Sequence, residues 1–174
     1  MQVPRGQFFC DANHGDVSAG LKSTSGVLLL WQSAAVLWRS QVQKTIAWST
    51  TEAEYQAAGA AARDVLWLRQ LLPALGEDTS GPTIIHTDSQ PALSLLKAPR
   101  LTERSKHIDI IHHFARERVL AGELHFKYVH TSENPADALT KPVPRPKLIF
   151  CRTAMGLRSL VELGSLDTLD SAGE

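Results

Sequence analysis

Three short apolar runs, Gln7–Cys10, Val27–Trp31 and Val36–Arg39, fall within the first forty residues, ahead of a helical pattern that Gly59 alone interrupts from Thr50 until Pro73 and Gly76 mark its end near Leu75. Runs this short suit strands rather than helices, and the four-residue spacer between the second and third leaves room for little but a hairpin. An antiparallel meander followed by one long helix is therefore expected. Further on, the β-branched run Thr83–Thr87 leads into Asp88-Ser89-Gln90-Pro91, which opens a second helix bearing Ala92, Leu93, Leu95 and Leu96. Pro99 closes it, and a third helix is expected from about Ser105 to Ala121. Glu123–His130 alternates Leu124, Phe126 and Tyr128 with His125, Lys127 and Val129, the pattern of a fifth strand. A short helix over Pro135–Thr140 and a last one over Lys147–Gly156 complete the order. Three strands, helix, strand, two helices, strand and helix predict an α/β fold, a mixed sheet with helices on its faces.

A chain of 174 residues suits one domain, placed here at 1–157, with an acidic tail at 158–174. The 18 Lys and Arg balance the 18 Asp and Glu, so the basic footprint of a generic nucleic-acid binder is missing. That balance conceals a segregation: Lys141, Arg145, Lys147, Arg152 and Arg158 lie in a stretch without an acid, and Glu162, Asp167, Asp170 and Glu174 follow without a base. The longest apolar runs stop far short of the roughly 20 residues that cross a bilayer, so no membrane partner is expected. Two cysteines, Cys10 and Cys151, make no disulfide framework, and the first residues lack the apolar stretch of a secretory signal. An intracellular, reducing compartment, the cytoplasm, is the expectation.

Four carboxylates stand at suggestive places, each with a plainer explanation beside it. Asp11 follows the first strand, where it could serve a site or start a turn. Asp88 follows the fourth strand and could cap the second helix, unless Ser89 takes the cap and leaves it free. Glu52 and Glu54 lie about 200° apart around the first long helix, so one should point outward. Steps of three and four from Glu54 reach Ala58, Ala61, Val65, Leu68 and Leu72, an apolar stripe, whereas those from Glu52 reach Gln56, Gly59, Arg63 and Gln70. A capping box is available in two registers, Ser49 with Glu52 or Thr51 with Glu54. Asp137 fits an ordinary helix start, with Asn134 as cap and Pro135 in the first position. Convergent carboxylates are also what hard divalent cations require.

Ser49-Thr50-Thr51-Glu52-Ala53-Glu54-Tyr55, His86-Thr87-Asp88-Ser89-Gln90, Lys106-His107-Ile108-Asp109-Ile110 and Asn134-Pro135-Ala136-Asp137-Ala138-Leu139-Thr140-Lys141-Pro142 occur in this order. Together with Lys22-Ser23-Thr24-Ser25-Gly26, they resemble the ribonuclease H domain at the end of copia-type retrotransposon polyproteins, over roughly Gly6 to Leu157. The resemblance implies the ribonuclease H fold, a five-stranded mixed sheet of three antiparallel strands and two further strands flanked by helices. It implies a catalytic, metal-binding site of Asp11, Glu54, Asp88 and Asp137. The implied activity is endonucleolytic hydrolysis of the RNA strand of RNA–DNA hybrids, using two Mg²⁺ ions roughly 4 Å apart, with Mn²⁺ as a substitute. A reverse transcriptase domain in the same polyprotein, inside a retrotransposon particle, is the implied partner. Ser89, Gln90, Arg104, Lys106 and Lys141 are candidate substrate contacts, as is Lys127.

The chain departs from the family in places. Asn13-His14-Gly15-Asp16 replaces a stretch that commonly holds a second aspartate, a tryptophan and a further aspartate; Ile111 stands where a base is usual and His130 where proline is common. His130 admits two readings, an accessory group assisting product release as in related ribonucleases H, or a solvated histidine at a strand end. His107, Asp109, His112 and His113 fit no closed zinc site, and Asp11–Asp16 lacks the later glutamate of a calcium loop, that place being held by Lys22. The rival readings are a catalytically silent or repurposed domain of the same fold, and a transposase- or resolvase-like nuclease.

Overall fold

The computed structural model describes residues 6–16, 19–98 and 114–158. Strands β1 (Gly6–Asp16), β2 (Lys22–Trp31) and β3 (Ala34–Val42) are followed by helix α1 (Thr50–Leu71), strand β4 (Thr83–Thr87) and helix α2 (Gln90–Lys97). Helix α3 (Phe114–Leu120), strand β5 (Leu124–Tyr128) and helix α4 (Arg145–Ala154) complete the order. They build the expected α/β fold around one sheet in the order β3-β2-β1-β4-β5. The first three strands form the antiparallel meander, and β4 and β5 join parallel to β1.

The strands outrun their apolar cores. Polar residues continue the ladder between β1 and β2, with Asp11 opposite Gly26, Ala12 opposite Ser25 and Asn13 opposite Thr24. Asp11 thus lies inside β1 rather than just after it, because backbone pairing does not need apolar side chains once the polar ones are satisfied. Ser25 is such a case: its hydroxyl accepts from Gln43 Nε2 at 2.9 Å. The first long helix ends at Leu71 and tightens into a 3-10 turn, Leu72–Leu75, closed by Gly76 at φ 78°. The segment Pro135–Leu139 is also 3-10, and the last helix starts at Arg145, since Pro146 is tolerated in a first turn. The start of the third helix, Arg104, Lys106, His107, Asp109, Ile111, His112, His113 and the tail beyond Arg158 lie outside the described residues.

Both faces of the meander are covered, which is why Val27–Leu30 is an unbroken apolar run. On one face Phe8, Cys10, Val27, Leu29, Ile85 and Phe126 pack against the alanine-rich side of α1, with Leu96 of α2 and Ala115 of α3. On the other, Phe9, Leu28 and Leu30 meet Ala136 of the 3-10 segment, with Leu139 and Met155 alongside. Small side chains on α1 let the helix lie close to the sheet. In β5, Leu124 and Phe126 are buried while His125 and Lys127 are exposed, as the alternation predicts, but Tyr128, expected on the buried face, is exposed at the end of the strand.

Candidate active site

The parallel pairing of β1 with β4 sets the site. Phe9 is level with His86, so Asp11, within β1, and Asp88, just past β4, each two residues further on, lie at the same end of that strand pair. Helix α1 begins beside that end because Ser49 caps it, its hydroxyl accepting from Glu52 N at 3.2 Å. Glu52 does not close a capping box on the Ser49 amide; it reaches one residue further back and accepts from Trp48 N at 2.9 Å. The cap register leaves Glu54 free to face the sheet. Glu52 does not point into solvent, contrary to expectation: it is only 6% exposed, enclosed by the Trp48 amide and by Gln56, whose Nε2 lies 3.4 Å away.

Asp11, Glu54 and Asp88 each offer one oxygen, and the three lie within 4.8 Å of one another. Desolvation, with the charges of Asp88 and Asp137, pushes the Asp11 carboxyl up to about 7 against the pull of Thr140 and Lys141. Desolvation, with the charges of Asp11 and Asp88, pushes Glu54 up to about 9. Glu54 Oε2 is buried without a hydrogen-bond partner. Three convergent hard oxygen donors, two of them pushed toward the protonated form by burial and mutual repulsion, and one orphaned oxygen among them, fit a divalent cation.

Asp88 is placed by the chain that follows β5. Ser89 caps α2, its hydroxyl accepting from Ala92 N, so Asp88 is not consumed as a cap. Instead Asp88 Oδ2 accepts from Thr131 Oγ1 at 2.7 Å and Oδ1 from Asn134 Nδ2 at 3.5 Å. Asn134, fully buried, also donates to the Cys10 carbonyl at 3.0 Å and caps the 3-10 segment by accepting from Ala136 N. One side chain thereby ties β1, β4 and the fourth acid together. Asp137 is buried at the first turn of that segment, outside the three-acid cluster, and its partners are lysines. Lys141 Nζ lies 2.7 Å from its Oδ1 and 3.7 Å from Asp11 Oδ2, and Lys147 Nζ lies 3.4 Å from its Oδ2. Thr140 donates to Asp11 Oδ2, completing the contact of the segment with β1.

Gly26 makes this contact possible. It sits opposite Asp11, and a Cβ there would lie 2.7 Å from Thr140 Cγ2 and 3.0 Å from the Ala136 carbonyl. The remaining candidates divide. Gln90 is exposed at the start of α2, beside Asp88, and Lys127 is exposed on β5. His130 is exposed, with Nδ1 2.7 Å from Ser132 Oγ and accepting from Ser132 N, so its ring caps a turn after β5. Thr131, Asn134, Thr140 and Lys147 are the participants that sequence reasoning did not assign. The signal for Lys147 is its place in the basic stretch, and that for Asn134 is its position as a cap before Pro135.

Over 145 residues, 83% of this chain, the sequence is 40% identical to the retrovirus-related Pol polyprotein from transposon TNT 1-94 of Nicotiana tabacum. It is 34% identical over 137 residues to that from transposon RE2 of Arabidopsis thaliana. The chain spans 11% and 9% of the length of these relatives. No protein-family model matches it. Among solved structures, RNase H1 from the halophilic archaeon Halobacterium salinarum NRC-1 superposes with a TM-score of 0.53 at 17% identity, over 79% of this chain and 95% of that one. LC11-RNase H1, isolated from compost and solved in complex with an RNA/DNA hybrid, gives 0.54 at 15%, over 78% and 93%. The chain is thus a homologue of one segment of the Pol polyproteins of plant transposons and carries the ribonuclease H fold, consistent with a ribonuclease H domain of copia-type polyproteins.

Proposed function

We propose that the chain is a ribonuclease H, an endonuclease that hydrolyses the RNA strand of RNA–DNA hybrids with two Mg²⁺ ions, for which Mn²⁺ can substitute. The observation that carries this reading is the convergence of Asp11, Glu54 and Asp88 from β1, α1 and the end of β4 within 4.8 Å, on a ribonuclease H fold. Its place would be beside a reverse transcriptase in the same polyprotein, in a cytoplasmic retrotransposon particle, in keeping with relatives of which the matched segment makes up 11%.

Asp11, Glu54 and Asp88 would hold the first cation and Asp137 would contribute to the second. When bound, the cations supply an activated water and stabilise the leaving oxygen, so that cleavage leaves a 3′ hydroxyl and a 5′ phosphate. The carboxylates act as holders and not as nucleophiles. A cation among them favours their charged forms, reversing the upward displacement of Asp11 and Glu54. Thr131 and Asn134 orient Asp88, and Thr140 orients Asp11. Gln90, exposed beside Asp88, would meet the hybrid, whereas the Ser89 hydroxyl is committed to its cap.

The test is incubation of the chain and Mg²⁺ with labelled RNA–DNA hybrid, duplex RNA and duplex DNA. The expected result is cutting of the RNA in the hybrid alone, reduced by about 10²-fold or more in Asp88→Asn, as loss of a group that acts only in the reaction would do. Equal cutting of duplex DNA, or full activity in that variant, would contradict the assignment.

A further inference from the structure

Lys141 lies where an external cation would be expected between Asp11 and Asp137. Its ammonium is 2.7 Å from one carboxylate and 3.7 Å from the other, and its side chain is 37% exposed, with a route to solvent. Burial alone would weaken the ammonium, but the bond to Asp137 and the charges of Asp11, Asp137 and Asp88 outweigh it. Lys147 is different: it is 15% exposed, reaches Asp137 from the far oxygen and also donates to the Thr131 carbonyl. Lys147 is thus part of the scaffold, and Lys141 is the group able to leave.

We propose that Lys141 is an internal cation that holds Asp137 to Asp11 in the metal-free chain and must withdraw before a divalent cation can bridge those two acids. This rests on reading the carboxylates as a cation site. It makes loading sequential: the cluster of Asp11, Glu54 and Asp88 fills first, while the position shared with Asp137 fills only by displacing the lysine. An ammonium and a divalent cation cannot occupy one gap between two carboxylates, because like charges at such a distance repel strongly where water is largely excluded. The lysine also keeps Asp137 and Asp11 from facing each other as bare charges before loading.

Calorimetric titration with Mn²⁺, without nucleic acid, tests this. The wild-type chain is expected to bind in two phases, and Lys141→Met to tighten the second on the order of tenfold while changing the first much less. In EDTA, Lys141→Met should melt at a lower temperature than wild type, and saturating Mn²⁺ should remove the difference. Lys141→Gln, whose amide can still bond Asp137, repeats both measurements if the methionine variant does not fold. Unchanged phases in either neutral variant, equal tightening of both phases, or unaltered melting in EDTA would each overturn the role of Lys141 and leave the nuclease reading standing. No Mn²⁺ binding by the wild-type chain would instead overturn that reading itself.

Discussion

Asp11 and Glu54 are costly to keep together without a cation, and the cost has a sign that can be measured. Unfolded, they lose their protons near their ordinary values of 3.8 and 4.5; folded, they keep them to about 7 and about 9. Between those limits the folded chain binds more protons than the unfolded one, so these groups favour folding in acid and progressively oppose it as pH rises. The metal-free chain should therefore lose melting temperature progressively between pH 5 and pH 9, on the order of 10 °C or more. Glu54→Gln should raise the metal-free melting temperature at pH 8 and flatten this slope while abolishing cleavage, a stability gain paired with a functional loss. A steeper slope in that variant would refute the account. Asn134→Ala leaves the Cys10 carbonyl and the Ala136 amide without their partner and should cost about 1–3 kcal/mol in chemical denaturation, with a loss of cleavage because Asp88 keeps only Thr131 to orient it.

Two glycines separate what an element needs from what its neighbours need. Gly59 is inside α1 with nothing within 4 Å of where a Cβ would be, so Gly59→Ala should stabilise the chain by about 0.5–1 kcal/mol through helix propensity alone. Gly26 is in β2, and its missing side chain admits the 3-10 segment that carries Asp137. Gly26→Ala should destabilise by about 1–3 kcal/mol and lower cleavage by moving Asp137 and Thr140 away from Asp11; unaltered activity would show that the approach is not needed. The glycine at the end of Lys22-Ser23-Thr24-Ser25-Gly26 thus has a reason that is invisible along the strand. The element order, by contrast, was legible: β4 occupies its expected residues, and α1 starts where Ser49 caps it. What periodicity missed was the length of β1 and β2, whose polar ends are held by backbone pairing.

For the whole molecule, cation binding and folding are linked, since the three-acid cluster exists only in the folded chain. Mg²⁺ should raise the melting temperature, and more at pH 8 than at pH 5, because fewer protons then compete for Asp11. Thermal scans at both pH values check this, and an equal rise at both would place binding elsewhere. Among the described residues no helix is long and apolar enough to cross a membrane. The chain's order of residues determined which segments become strands and helices, that Glu54 heads the apolar stripe of α1, and that Ser89 could free Asp88, because these depend on periodicity and capping over a few residues. Only the tertiary structure decided that Asp137 faces two lysines, that Lys141 bridges it to Asp11, and that Asn134 ties Asp88 to β1. The contacts to Asp11, Cys10 and Asp88 join residues more than forty and up to about 130 positions apart, whereas the two lysines are four and ten positions from Asp137; the distant partners are chosen by how the sheet and the 3-10 segment pack rather than by neighbours along the chain.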